Sequence, residues 1–384
     1  MSSTKEFITL FHYQNLLHPA LKNRDISKKW EPQEKIILAQ NIKKVWENSM
    51  WKPRQGQALN FNAVVIKGKY KDDEPFALKE NNAPLSNKKI DILANLETVD
   101  DVHALRAYLD EIGNPQSTLA TRFFPLERGD KPGLRYDEFG EEKHTEILLL
   151  RRELRDLTVN NVRRLIISNS HSPALAFFLL EAGIPVVDVI SLPAMFDFAL
   201  EQGFFGNKTI VPVTGDYGAG AMGELLEKFA AEKNIPSENS IHALKTKSGN
   251  ETEVHFDPEQ LKRIKGKTAV IPEDILATGG TLKDTAEQLI EAGAEEVIIM
   301  VSFPLFANSA LERLGNNPKI KIITTDGFTP QTDISQAKNI FMVPTTDTFA
   351  SVLELDKQGL NFFSPQGKAE LRMKGFCINP WMDI

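Results

Sequence analysis

Val270-Ile271-Pro272-Glu273-Asp274-Ile275-Leu276-Ala277-Thr278-Gly279-Gly280-Thr281-Leu282 is the stretch on which the reading of this chain turns. The β-branched and apolar run Thr268–Ile271 predicts a strand, and the acidic pair Glu273 and Asp274 follows it. The turn Thr278-Gly279-Gly280-Thr281 then opens a helix from Leu282 to about Ala292, with apolar residues at Leu282, Ala286, Leu289 and Ile290. A Gly-Gly turn leaves backbone N–H groups without partners at the positive end of a helix, which suits a phosphate monoester. Ala277, Thr278, Gly279, Gly280 and Thr281 form that cradle, and the two threonine hydroxyls can donate to the same anion. Glu273 and Asp274, at the carboxyl end of the strand, can accept from sugar hydroxyls or hold a cation. No Gly-Lys-Thr follows the glycines, so this is no Walker A loop, and the spacing is not that of a dinucleotide fingerprint.

Around this core, strands and helices alternate from Arg164–Ser168 to Asn339–Val343. Such alternation predicts parallel sheets flanked by helices, an α/β fold. Two α/β units are expected, at residues 61–190 and 191–356, after a helical N-terminal extension at 1–60 and before a C-terminal tail at 357–384. Within the first unit, Ile90–Ala94 and Leu119–Pro125 read as strands. Asp101–Ile112 reads as a helix capped by Asp100 or Asp101, and His144–Leu157 as a long helix. In the extension Lys35–Trp46 has amphipathic spacing, with Trp46, Trp51, Phe7 and Phe11 as packing anchors.

Composition narrows the function class. The 384 residues are 41% hydrophobic and 25% charged, ordinary values for a globular protein. A net charge of −7 argues against nucleic acid as a main partner. Cys377 alone excludes a disulfide framework and any multi-cysteine metal site. The first residues carry no secretory h-region, and the most apolar stretch, 172–190, is broken by Glu181, Pro185 and Asp188. A cytoplasmic protein without membrane partners is expected.

The loop Glu273–Thr281 resembles the PRPP-binding loop of the phosphoribosyltransferase superfamily, in which two acidic residues precede T-G-G-T. Upstream of it stand, in order, Phe124-Pro125 with Arg128, Asp130 and Lys131; Ser168-Asn169-Ser170-His171-Ser172; Val213-Thr214-Gly215-Asp216-Tyr217-Gly218; and Lys245-Thr246-Lys247. The series resembles ribose-phosphate pyrophosphokinase (PRPP synthetase) over roughly residues 85–350. That resemblance implies two tandem phosphoribosyltransferase-like domains and transfer of the diphosphoryl group of ATP to C1 of ribose 5-phosphate. It implies Mg²⁺ as cofactor and assembly into at least a homodimer. By the same resemblance Arg128, Asp130 and Lys131 bind ATP, His171 binds Mg-ATP, and Asp216 lies near metal and ribose. Lys245 and Lys247 stand at the root of a flexible catalytic loop, for which the polar run Ser248–Glu253 is the candidate.

The chain departs from that family's pattern where ATP is expected. Asn169 stands where the family has Asp, and Ala221-Met222-Gly223 replaces Lys-Arg-Ala. The N-terminal adenine-binding segment has no counterpart near Phe61–Glu74, and the family lacks the helical start and the tail. Two alternatives therefore stand beside the diphosphokinase: a PRPP-dependent phosphoribosyltransferase, and a non-catalytic homologue that binds sugar phosphate and regulates a true synthetase.

Overall fold

The computed structural model describes residue 20 and residues 31–49, 65–69, 75–79, 89–126, 134–136, 142–145, 149–215, 220–248, 251–315 and 317–383. The expected anchors Phe7, Phe11 and Trp51 lie outside these residues, as do Arg128, Asp130, Lys131 and Asp216. The described residues fall into two compact units. One draws on Met1–Val189, Phe349–Ala369 and Trp381–Ile384, the other on Ile190–Thr348 and Glu370–Pro380. Residues 357–384 are thus shared between the units rather than standing apart.

The first unit opens with helix α1 (Pro32–Ser49) and the antiparallel pair β1 (Val65–Lys69) and β2 (Pro75–Lys79). Then come β3 (Lys89–Ala94), α2 (Val99–Glu111), β4 (Gln116–Thr121), β5 (Leu134–Tyr136) and β6 (Glu142–Thr145). Helix α3 (Leu149–Val159), β7 (Val162–Ser168), α4 (Pro173–Glu181) and β8 (Val186–Ile190) complete the series. β3, β4, β7 and β8 pair in parallel in that order. Three local expectations are corrected. Thr98, not Asp100 or Asp101, caps α2: its hydroxyl accepts from Asp101 N–H while the Asp101 carboxylate accepts from Thr98 N–H at 2.7 Å. β4 ends at Thr121, where the side chain turns to donate to Phe123 O at 2.7 Å. The expected helix 144–157 starts at Leu149, because the buried stripe Leu150, Leu154, Leu157 begins there and Glu142–Thr145 pairs with β5 instead.

The extension and the returning C-terminal segment meet on β7. Arg164 is 1% exposed and pairs with Asp356, 3% exposed. Its guanidinium lies 4.0 Å from the ring centroid of Trp46 on α1, and Trp46 stacks on Phe362 at 6.0 Å. A cation over an indole is worth most when water is excluded, as it is here.

The second unit runs α5 (Leu192–Glu201), β9 (Ile210–Thr214), α6 (Gly220–Glu232), β10 (Ile241–His242), β11 (Leu244–Ser248), β12 (Glu251–His255) and the one-turn α7 (Pro258–Leu261). β13 (Thr268–Leu276), α8 (Gly280–Glu291), β14 (Glu296–Pro304), α9 (Ala310–Leu314), β15 (Ile320–Thr325) and β16 (Ile340–Val343) follow. The last two helices of the chain are not the second unit's alone: α10 (Thr346–Lys357) falls mostly to the first unit and α11 (Pro365–Met373) is divided between the two, while the second unit keeps its own sheet. Its sheet has six strands in the order β10-β9-β13-β14-β15-β16, every pair parallel. Alternate strand residues serve opposite faces. Val211, Ile271, Ile299 and Ile322 bury against Leu282, Ala286 and Leu289 of α8. On the other face Val270, Ile298 and Ile323 bury against Phe196 of α5 and Leu226 and Phe229 of α6. The stretch 370–380 is fastened to this unit by the Arg372 fork on Asp197, at 2.7 and 3.1 Å.

Candidate functional site

The order of strands in the second unit locates the site. From β9 the chain steps outward to β10; from β13 it steps the other way, through β14 to β16. β9 and β13 therefore flank the point where the winding reverses. In open α/β sheets ligands bind in the crevice at the carboxyl ends of strands at such a point. β13 pairs with β9 only over Thr268–Val270 but with β14 as far as Leu276. Pro272, with no N–H to give, sits past the last β9 partner. Beyond it Glu273 and Asp274 continue the strand on an edge that β9 has left. The strand thus runs past Ile271, its expected end, and carries both carboxylates on regular β structure.

Both acidic side chains are half-buried. Asp274 Oδ1 accepts from Ile275 N–H at 2.7 Å, and Glu273 Oε1 from Asp274 N–H at 3.4 Å. Adjacent strand residues point to opposite faces, so the two carboxylates divide between the faces of β13.

The turn then enters α8, one residue pair earlier than the expected start at Leu282. Gly279 is the N-cap, at φ 71 and ψ 4, a left-handed conformation that glycine alone adopts without cost. A Cβ there would lie 2.9 Å from Leu314 Cδ1. The cap has no side chain to offer α8, whose first N–H groups have no acceptor within the helix. Thr278 is exposed and Thr281 half-buried. Arg313 on α9, which no local signal marks, donates from Nη1 to Thr278 O at 3.0 Å.

On the other side of the crevice β9 ends at Thr214, whose hydroxyl lies 2.7 Å from His242 Nδ1 on β10. Gly215 follows, and the expected Asp216 comes next, outside the described residues. Gly223 on α6 has a physical reason to be glycine: a Cβ would fall 2.3 Å from Ser240 Oγ and 3.2 Å from Thr214 Cγ2. Ser240 is held there by Glu227, through its N–H at 2.7 Å and its hydroxyl at 2.6 Å.

The run expected as a flexible loop is corrected: Ser248 ends β11 and Glu251–Glu253 open β12, an antiparallel hairpin that pairs Lys245 with Val254 and Lys247 with Thr252. Lys245 and Lys247 stand two apart on β11. Gln288 of α8 donates to Val254 O at 2.9 Å, tying the hairpin to that helix.

His171, exposed, lies in the first unit between β7 and Ser172, the N-cap of α4, whose side chain accepts from Ala174 N–H at 3.1 Å. Asn169 adopts φ 57, a conformation Asn tolerates better than most residues. Beneath the loop the fully buried Asp188 accepts from Ser170 N–H at 3.2 Å and from the Ser170 hydroxyl at 2.5 Å. The carboxylate at this loop is therefore on the neighbouring strand, not at position 169.

Mg²⁺ is a hard cation that takes oxygen ligands, often one or two carboxylates completed by phosphate and water. The half-buried Glu273 and Asp274 fit that donor set. The His171 imidazole fits a donor to phosphate oxygens better than a direct ligand of Mg²⁺. Among the described residues no group of three or more His, Cys, Asp or Glu is gathered for a metal, and no helix is long and apolar enough to cross a membrane.

Comparison with known proteins agrees with this geometry. Residues 216–336 match the phosphoribosyl transferase domain. The chain is 30% identical over 172 residues to the ribose-phosphate pyrophosphokinase of Cereibacter sphaeroides, covering 44% of this chain and 48% of the relative. It is 30% identical over 169 residues to that of Aquifex aeolicus, covering 42% and 48%. The chain thus spans about half the length of the curated relatives it matches. Among solved structures, phosphoribosylpyrophosphate synthetase from Mycobacterium smegmatis superposes with a TM-score of 0.59 at 19% identity, over 76% of this chain and 90% of that one. The two share a fold.

Proposed function

We propose that this chain, a divergent member of the ribose-phosphate pyrophosphokinase family, transfers the diphosphoryl group of ATP to the C1 hydroxyl of ribose 5-phosphate. The observation that carries the reading is the glycine cap of α8 at the carboxyl end of β13, beside the reversal in strand order. The 5-phosphate sits on the N–H groups of Gly279 and Gly280 and takes the Thr278 and Thr281 hydroxyls as donors. One of Glu273 and Asp274 accepts from the ribose hydroxyls; the other is available to a cation. The C1 oxygen then attacks the β-phosphorus as the bond from that phosphorus to the α,β-bridging oxygen breaks. AMP leaves with the electron pair, and the proton of the C1 hydroxyl passes to solvent water. Lys245 and Lys247 neutralise charge on the transferring group, and His171 donates to ATP phosphate oxygens, with Arg128, Asp130, Lys131 and Asp216 completing the ATP and metal side. Asp216 and whichever of Glu273 and Asp274 is not on the ribose would hold Mg²⁺, which would supply positive charge to offset that of the triphosphate. Homo-oligomeric assembly, at least to a dimer, belongs to the same proposal.

A second reading keeps the sugar-phosphate site and drops the chemistry. It is favoured by Asn169, which stands where the family has a carboxylate, and by Ala221 and Met222, which stand where the family has two cations. Phosphorus NMR of the chain with ribose 5-phosphate, ATP and Mg²⁺ decides between them. Matched appearance of AMP and PRPP, lost in His171→Ala, is the outcome for the enzyme. Ribose 5-phosphate bound with no product formed would leave the binding homologue.

A further inference from the structure

The carbonyl groups of the phosphate loop are held from behind by one downstream segment. Phe306 N–H donates to Leu276 O at 3.1 Å, Ala307 N–H to Ala277 O at 3.0 Å, and Arg313 Nη1 to Thr278 O at 3.0 Å. Across a trans peptide the C=O and the next N–H point in opposite directions. Holding Thr278 O therefore aims Gly279 N–H the other way, to the side from which an anion approaches α8.

The three contacts are unequal. The first two continue from β13 and β14 as backbone bonds. The third depends on a side chain and restrains the peptide next to a left-handed glycine, the residue with the most backbone freedom in the loop. We infer that Arg313 is a positioning residue of the phosphate loop, fixing the Thr278–Gly279 peptide so that Gly279 N–H faces the phosphate. The inference rests on the reading that this loop binds a phosphate monoester.

The segment bearing Arg313 is built to hold still. Phe306 and Asn308 both take left-handed backbone, at φ 45 and 55. Thr332 Oγ1 donates to Phe306 O at 2.8 Å, and Gln331 N–H to Leu305 O at 2.7 Å. Leu314, next to Arg313 and fully buried, closes on Gly279 from the same side. Arg313 thus reaches the loop from a fixed base, and its own exposed side chain can be changed without opening the core.

The test compares the full chain with Arg313→Ala and Arg313→Lys. Ribose 5-phosphate affinity is measured by calorimetry, and the Gly279 amide is followed by NMR in glycine-labelled protein without ligand. Arg313→Ala is expected to weaken binding about tenfold to 150-fold, the range for losing one charge-assisted hydrogen bond. It moves the Gly279 amide resonance and leaves the thermal midpoint unchanged. Arg313→Lys, which keeps one N–H donor, recovers most of both. Unchanged affinity with an unmoved amide would overturn the inference. So would weakened affinity with an unmoved amide, since Arg313 would then touch phosphate directly. A wild-type chain that binds no ribose 5-phosphate would overturn the proposed function, and the Gly279 amide alone would still decide the role of Arg313.

Discussion

Gly279→Val is expected to raise the dissociation constant for ribose 5-phosphate by about 100-fold or more. Two costs combine. A left-handed backbone costs a residue with a Cβ about 1–2 kcal/mol, and a β-branched one more. The new Cβ would also stand 2.9 Å from Leu314 Cδ1, a buried side chain with little room to retreat. Together these reach about 3 kcal/mol, which is roughly 100-fold in affinity. The loop escapes the strain by turning its peptides, and it then no longer presents its N–H groups to the phosphate. Gly203→Ala is the matched control: φ there is 68, but nothing lies within 4 Å of the new Cβ. It carries the backbone cost without the clash and leaves binding unchanged. Calorimetric titration of both variants measures the difference, and a valine variant that binds like the wild type would remove the glycine cap from the site.

Asp356→Ala is expected to lower the stability of the first unit by about 3–5 kcal/mol, because it strands the buried Arg164 guanidinium without its counter-charge. The double change Arg164→Met with Asp356→Leu is expected to recover most of the loss, since a buried ion pair contributes little net stability over apolar residues of similar size. Urea unfolding followed by tryptophan fluorescence reads the effect, with Trp46 stacked between Arg164 and Phe362. The wild type also carries a pH signature. Burial pushes the Asp356 carboxyl up from 3.8 to about 6, opposed by Arg164 and reinforced by Asp91. Between about pH 4 and 6 the folded unit therefore holds a proton that the unfolded chain has released. Its contribution is fully present below about pH 4 and is lost as pH rises through about 6. Asp356→Asn removes that slope; a wild type and an asparagine variant with parallel pH profiles would contradict the burial of this pair.

What was legible in the sequence was what local chemistry determines. The run Thr268–Ile271, the two glycines and the apolar spacing of α8 each carry their signal within a few residues, and strand, cap and helix all lie where they point. What depends on a distant partner was not legible. The five residues that extend β13 past Ile271 include two acids, poor strand formers, and are strand because Glu273, Ile275 and Leu276 lie opposite Val301, Phe303 and Pro304. The run 248–253 has the composition of a loop, yet Ser248 and Glu251–Glu253 belong to paired strands, with Leu244 opposite His255 at the far end of the hairpin. Arg313 lies 35 residues from the carbonyl it holds, and Asp188 lies 18 from Ser170. Neither had a local mark, although an acid in a fully apolar strand, Val186–Ile190, signals a buried polar role.

Titration of the full chain with ribose 5-phosphate and, separately, with ribose bears most directly on the site. If the glycine cap of α8 binds a sugar monophosphate, ribose 5-phosphate binds and ribose, lacking the anion, does not. Equal binding of the two sugars, or no binding of either, would contradict a phosphate site at Ala277–Thr281.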